Sequence, residues 1–357
     1  MNDLTTYERM LRTFQHKETD RAPIYDCPWA GTIRRWQNEG MPKDIDWRDY
    51  FLTDKIESIQ IDNSPRYESK ILEETDRYMI YTTSWGVTLK NFKTEDSTPE
   101  FLDFKIITEE KWQEAKKRIF PSKDRIDWNS LKDNYPKWRA ENRWIQGGFW
   151  FGFDVSHSWM IGTETFLIAM IENPDWVKDV FNTYLEMCIE QFDMIWDAGY
   201  KFDSIFWPDD MGYKNTPFFS NSMYKELLQP FHRRAVEWAH NKGIFAHLHS
   251  CGDIMPLMPD IIETSIDCLN PIEIKAGMDI NELKTKYGDR LVLHGGVNAV
   301  LWDNHDEIMA EIERAIPILN KNGGYIFASD HSIPNSVSSQ NFTDIISRVK
   351  TLTAIYK

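Results

Sequence analysis

No run of apolar residues approaches the ~20 that a membrane-spanning helix needs, so a membrane span is excluded along the 357 residues. Nor is there a basic stripe. The 41 lysines and arginines are outnumbered by 56 aspartates and glutamates, for a formal charge of −15. That balance argues against nucleic acid, whose phosphates are bound by clustered cations that release counterions. Cysteine is scarce. Cys27, Cys188, Cys251 and Cys268 show no Cys-x-x-Cys spacing, which removes both a zinc ribbon and a disulfide framework and leaves reduced thiols as the expectation. The opening MNDLTTYERMLRTF lacks the basic and apolar regions of a secretory signal, and a cytoplasmic location is expected. Linkers, internal repeats and low-complexity segments are also missing. One domain over residues 1–357, with an elaborated N-terminal third, is therefore expected.

What is present is apolar and aromatic material: 41% hydrophobic residues and 15 tryptophans, enough for a large core. From about residue 144, β-branched and aromatic runs alternate with amphipathic stretches, the pattern of parallel strands joined by helical crossovers. Strands are read at Trp144–Trp150, Ser204–Asp210, Ile244–Gly252, Asp267–Glu273, Leu291–Val297 and Tyr325–His331. Helices are read at Asn173–Ala198, Asn221–Asn241, Ile280–Tyr287 and His305–Leu319. In the first of these, Trp176, Val180, Tyr184, Met187 and Phe192 fall near helical spacing. Two further strands, Ala22–Cys27 and Lys55–Ile61, would complete eight. The fold class is accordingly α/β, a (β/α)8 TIM barrel. Tyr78–Lys90 alternates around a Trp-Gly turn and reads as an inserted hairpin, and residues 100–143 read as charged and helical.

Chemistry concentrates where barrel strands end. In IFAHLHSCG, alternation puts Phe245, His247, His249 and Cys251 on one face. His249 and Cys251 are thus two metal donors side by side near a strand's end, although a hydrogen-bonded polar interior uses the same residues. Catalytic zinc wants three protein ligands. Other strand ends offer Asp209 and Asp210, Glu273, His294, and Asp330 or His331. Tyr25, Trp150 and Trp207 also fall at strand ends, where their rings would wall a substrate pocket with Asp209 or else simply fill core.

Several stretches carry a resemblance to a known family: YERMLRTFQHKETDRAPI, GTETFLIAMIENPDWV, FHRRAVEWAHNKGIFAHLHSCGDI, DCLNPIEIKAGMDINELKTKYGDRLVLHGGVN and GGYIFASDHSIP. Spread over nearly the whole chain, they resemble the uroporphyrinogen decarboxylase superfamily, which includes decarboxylase-like, cobalamin-dependent methyltransferases. The resemblance implies a (β/α)8 barrel. Decarboxylases of the family carry an Arg-Gln-Ala-Gly-Arg stretch that holds substrate carboxylates. Here YDCPWAGTIRRWQNEG supplies Arg34 and Arg35 without that spacing.

The methyltransferase branch carries a His-x-Cys zinc motif and a later third ligand, commonly cysteine. His249 and Cys251 match its first half, and His331 stands first for the third position, followed by Asp330 and Glu273. The resemblance thus implies a zinc-dependent methyltransferase, O-demethylating a small methoxylated aromatic and passing the methyl group to a corrinoid (cobalamin) on a partner protein. The alternatives are a uroporphyrinogen decarboxylase, a methyl-corrinoid:thiol methyltransferase, and a non-catalytic ligand-binding relative.

Overall fold

The computed structural model describes residues 3–93 and 98–354. Strand β1 (Ile56–Ile59) opens the main sheet, and four antiparallel strands follow as an insertion: β2 (Ile71–Glu74), β3 (Tyr78–Thr82), β4 (Val87–Phe92) and β5 (Glu100–Phe104). Beyond them come β6 (Trp144–Gly148), β7 (Ser204–Pro208), the two-residue strands β8 (Gly212–Tyr213) and β9 (Thr216–Pro217), then β10 (Phe245–His249), β11 (Cys268–Asn270), β12 (Val292–His294) and β13 (Tyr325–Ile326). The main sheet is parallel, in the order β1-β6-β7-β10-β11-β12-β13.

The strand expected at Ala22–Cys27 is reduced to a parallel bridge between Ile24 and Phe327. Around that bridge, Tyr25 N donates to the Phe327 carbonyl at 3.0 Å and Asp54 N donates to the Ile24 carbonyl at 3.0 Å. This segment therefore touches both β13 and the chain leading into β1. The result is an α/β fold with a curled seven-stranded parallel sheet.

Helices cover the outer face because their apolar stripes match it. In Pro174–Asp197, Asn173 caps by accepting from Trp176 N, proline occupies the first turn, and Val177, Val180, Phe181, Tyr184, Cys188, Phe192 and Ile195 are buried. Large apolar side chains of this kind contribute about 1.5–3 kcal/mol each on full burial, so Val180→Asp would break the packing. At the opposite end of the strands from the site described below, Phe14 stacks on Trp144 at 5.3 Å and on Phe245 at 4.7 Å and plugs the floor.

Two expectations change. The hairpin at Tyr78–Lys90 is present as β3 and β4, but it is the centre of a four-stranded sheet. Residues 100–143 are helical only in part, since Glu100–Phe104 pairs with β4. The exposed pattern of β2 and β5 explains why they escape detection. Without a buried face, a strand shows no period-two alternation. Among the described residues, no helix is long and apolar enough to cross a membrane.

Candidate metal centre at the strand ends

β7 and β10 pair in register, with His247 opposite Phe206 and His249 opposite Pro208. Parallel neighbours share a face, so Phe206 projects with the histidines; its ring lies 5.0 Å from that of His247 and 5.9 Å from that of His249. Trp207 must then project the other way. It is fully buried against Phe151 and the His232 ring, outside the strand layer. The structure places Trp207 in the core, the second of the two places expected for its ring.

Beyond the strands, the loops following β7 and β10 cross at two glycines. A Cβ on Gly252 would stand 2.4 Å from the backbone of Gly212, and Gly252 has φ +81°. Only glycine permits that approach in a left-handed conformation. The crossing delivers Asp210 to Cys251: Cys251 N donates to Asp210 Oδ1 at 2.8 Å, and Gly212 N donates to the Cys251 carbonyl at 3.2 Å.

Donor atoms of Asp210, His249 and Cys251 all lie within 4.8 Å of one another. His249 Nε2 is 3.4 Å from Cys251 Sγ and 3.5 Å from Asp210 Oδ1. Zinc bonds of about 2.0–2.3 Å in a tetrahedron put ligand atoms roughly 3.3–3.6 Å apart. The donor set fits zinc. His249 is oriented from behind, with Nδ1 2.5 Å from Asn270 Oδ1. Asn270 Nδ2 donates to the His294 carbonyl at 3.3 Å, which fixes its oxygen toward the imidazole. His249 Nδ1 is then the donor, and Nε2 keeps its lone pair for a metal. Burial, with the charges of Asp210 and Glu273, pushes the Cys251 thiol well above its usual range. A metal would reverse that, since a coordinating thiol is deprotonated outright.

Two of the other expected ligands, Glu273 and Asp330, are engaged elsewhere. Glu273 Oε2 accepts from Gly252 N at 2.6 Å. Lys275 Nζ lies 3.6 Å from Glu273 and 3.3 Å from Asp330, whose Oδ1 also accepts from Ala299 N at 2.8 Å. An ammonium between two carboxylates competes with any metal there. His331 is exposed and lines a cavity of about 490 Å³ with Trp29 and Lys275. It is not among the donors grouped with His249 and Cys251. Asp209 is fully buried and lies 2.7 Å from His232 Nε2. Trp150, half-buried, lines a cavity of about 330 Å³ with Gln60, Asn63 and Trp85. Tyr25 lies elsewhere, stacked on His294 at 5.4 Å and facing a separate cavity.

Asp154 and His157 are the residues that sequence reasoning misses. Both are buried just beyond β6, and His157 opens a π-helical turn, His157–Ile161. Burial and the charges of Asp210 and Asp209 push Asp154 well above the usual carboxylate range. Burial brings His157 down to about 4. The signal was in FGFDVSHSW, a titratable pair following a strand.

The comparisons with known proteins accord with this architecture. No curated protein matches significantly. Among solved structures, a methyltransferase from Methanosarcina mazei superposes with a TM-score of 0.64 over 98% of this chain and 99% of that one, at 15% identity. The fold is therefore shared. The 3-keto-D-glucoside 4-epimerase from E. coli aligns less well, with a TM-score of 0.35 and 11% identity over 62% of this chain and 85% of that one. The model of the uroporphyrinogen decarboxylase (URO-D) family matches residues 153–352, more than half of the sequence and all of β7 to β13. The chain belongs to the uroporphyrinogen decarboxylase family.

Proposed function

We propose that the protein is a zinc-dependent methyltransferase that removes a methyl group from a small methoxylated aromatic compound and delivers it to a corrinoid carried by a partner protein. The observation that carries this reading is the grouping of Asp210, His249 and Cys251 at the carboxyl ends of β7 and β10. Those three side chains would hold zinc, and the fourth position would be left to the methyl donor. Bound there, zinc supplies Lewis acidity toward the donor's oxygen, a contribution of several kcal/mol to leaving-group stabilisation.

The chain's own residues orient and enclose. Asn270 sets the His249 tautomer, and Cys251 N holds Asp210 in place. Trp150 and Trp85, with ring centroids 6.5 Å apart, offer flat faces beside Gln60 and suit an aromatic donor. The decarboxylase alternative lacks such support. Arg35 is spent on Glu39, at 2.7 Å, and on the Asn335 carbonyl, leaving it poorly placed to hold a substrate carboxylate.

The test mixes purified protein, a methoxyarene panel and a reduced corrinoid protein, and follows the corrinoid spectrum. Spectral change that needs both enzyme and zinc supports the reading. Absence of change across the panel, together with rapid thiol-dependent demethylation of a methylated corrinoid, would assign the reverse reaction instead.

A further inference from the structure

A second group of metal-binding side chains lies inside the sheet's curl, apart from the chemistry proposed above. His247 in β10, Cys268 in β11 and His294 in β12 sit on three adjacent strands, with Cys268 paired in register with His247. All three are buried, and their donor atoms lie within 4.8 Å of one another. The geometry points to a second, closed site for a thiophilic d10 cation, held by His247, Cys268 and His294.

Three features support it. His294 Nε2 donates to the Tyr25 carbonyl at 2.8 Å, so Nδ1 presents its lone pair. A backbone carbonyl behind a ligating imidazole is the usual way of fixing such a tautomer. Next, His294 Nδ1 and His247 Nε2 are 3.3 Å apart. That is a length an N–H···N hydrogen bond also reaches, and it matches the edge expected from two metal–nitrogen bonds of about 2.0–2.1 Å at the tetrahedral angle. Finally, the set contains no carboxylate, and Cys268 packs in an apolar cluster with Met10, Phe14, Trp144 and Val292. One thiolate and two neutral imidazoles around a monovalent ion sum to zero charge, the combination least costly to bury. Soft sulfur with three donors also suits cuprous copper. A zinc ion would leave one net positive charge.

Because all three side chains are buried, the site is tested by loading in the growing cell. Wild type, Cys251→Ala, Cys268→Ala and the double variant are expressed in copper- and in zinc-supplemented medium, and metal per chain is measured by elemental analysis, with circular dichroism as the fold control. The expected result is one equivalent retained in Cys251→Ala and none in the double variant. Copper as the retained metal identifies the monovalent arm, and zinc the divalent one. If Cys268→Ala fails to fold, His294→Gln in the Cys251→Ala background replaces it, with the same loss expected. Equal metal content with and without the Cys268 or His294 change, or a metal-free Cys251→Ala protein in both media, overturns the site. The strand-end centre is judged separately, by the equivalent that Cys251→Ala removes.

Discussion

Asn270 Oδ1 lies 2.5 Å from His249 Nδ1 while its own Nδ2 reaches the His294 carbonyl. A single amide on β11 thereby ties the candidate zinc ligand on β10 to strand β12 and decides which imidazole nitrogen faces Cys251. Asn270→Ala should leave the fold intact and weaken zinc binding about 10–100-fold, the usual effect of losing a partner behind a ligand. Zinc competition against a chromophoric chelator measures it. Unchanged affinity would mean that the imidazole is oriented by Phe206 packing alone.

Asp209 and His232 form a buried pair, both fully inaccessible and 2.7 Å apart. Asp209 also accepts from Asp154 N at 2.8 Å. His232→Ala leaves a buried carboxylate without its main partner, and an effect of about 3–5 kcal/mol on unfolding free energy is expected. The double variant Asp209→Leu/His232→Leu should lose less, because nothing charged is stranded. Urea denaturation of the three proteins decides. A double variant less stable than the single would show that Asp209 matters chiefly to the backbone of Asp154.

Asp26 supplies a pH dependence. Burial pushes its carboxyl up to about 6 from 3.8, against the hydrogen bonds from Ser329 N and Cys27 N. Between about pH 4 and 6 the folded protein retains a proton that the unfolded chain has released. Stability contributed by this group therefore falls as pH rises through that window and is constant above it. Two pH units correspond to roughly 3 kcal/mol. Asp26→Asn should gain stability relative to wild type on going from pH 4 to pH 7, read as the difference in thermal midpoint between the two proteins. A difference independent of pH would mean that the two backbone donors keep the carboxylate ionised.

Much of this was legible in the sequence because it follows from period and caps. The helices Ile280–Tyr287 and His305–Leu319 begin and end where apolar spacing and Asn or Asp caps place them. The alternation in IFAHLHSCG correctly aligned His247 and His249 on one face, since that needs only strand parity. Absolute facing was not legible in β7, where Trp207 and Phe206 differ by one residue and only the β10 register decides which ring faces His249. The partnership of Asp210 with Cys251 depends on two loops crossing at Gly212 and Gly252, about 40 residues apart. No local pattern encodes such a crossing. Lys275 escaped notice for the same reason: its effect on Glu273 and Asp330 exists only once β11 and β13 are in place.

The third ligand of the proposed zinc is the sharpest remaining prediction, because its candidates come from different places. Asp210 stands within reach of both His249 and Cys251, and its carboxylate is already held by Cys251 N. Glu273 accepts from Gly252 N and lies near Lys275, so recruiting it would cost a backbone hydrogen bond and a nearby cation. His331 is exposed at a neighbouring cavity and would have to swing inward. Asp210→Ala should thus lower zinc content from one strand-end equivalent toward none, comparably with Cys251→Ala, while His331→Ala keeps the metal. Asp210→Asn should fall between, since its amide oxygen can still accept from Cys251 N but binds zinc weakly. Catalysis separates the roles further. If His331 contacts substrate from its cavity, His331→Ala raises KM with zinc content unchanged; if it ligates zinc, metal and turnover fall together. Metal analysis of the four variants, each checked by circular dichroism, distinguishes the cases. Full zinc retention in Asp210→Ala with loss in His331→Ala would transfer the third position to the loop after β13.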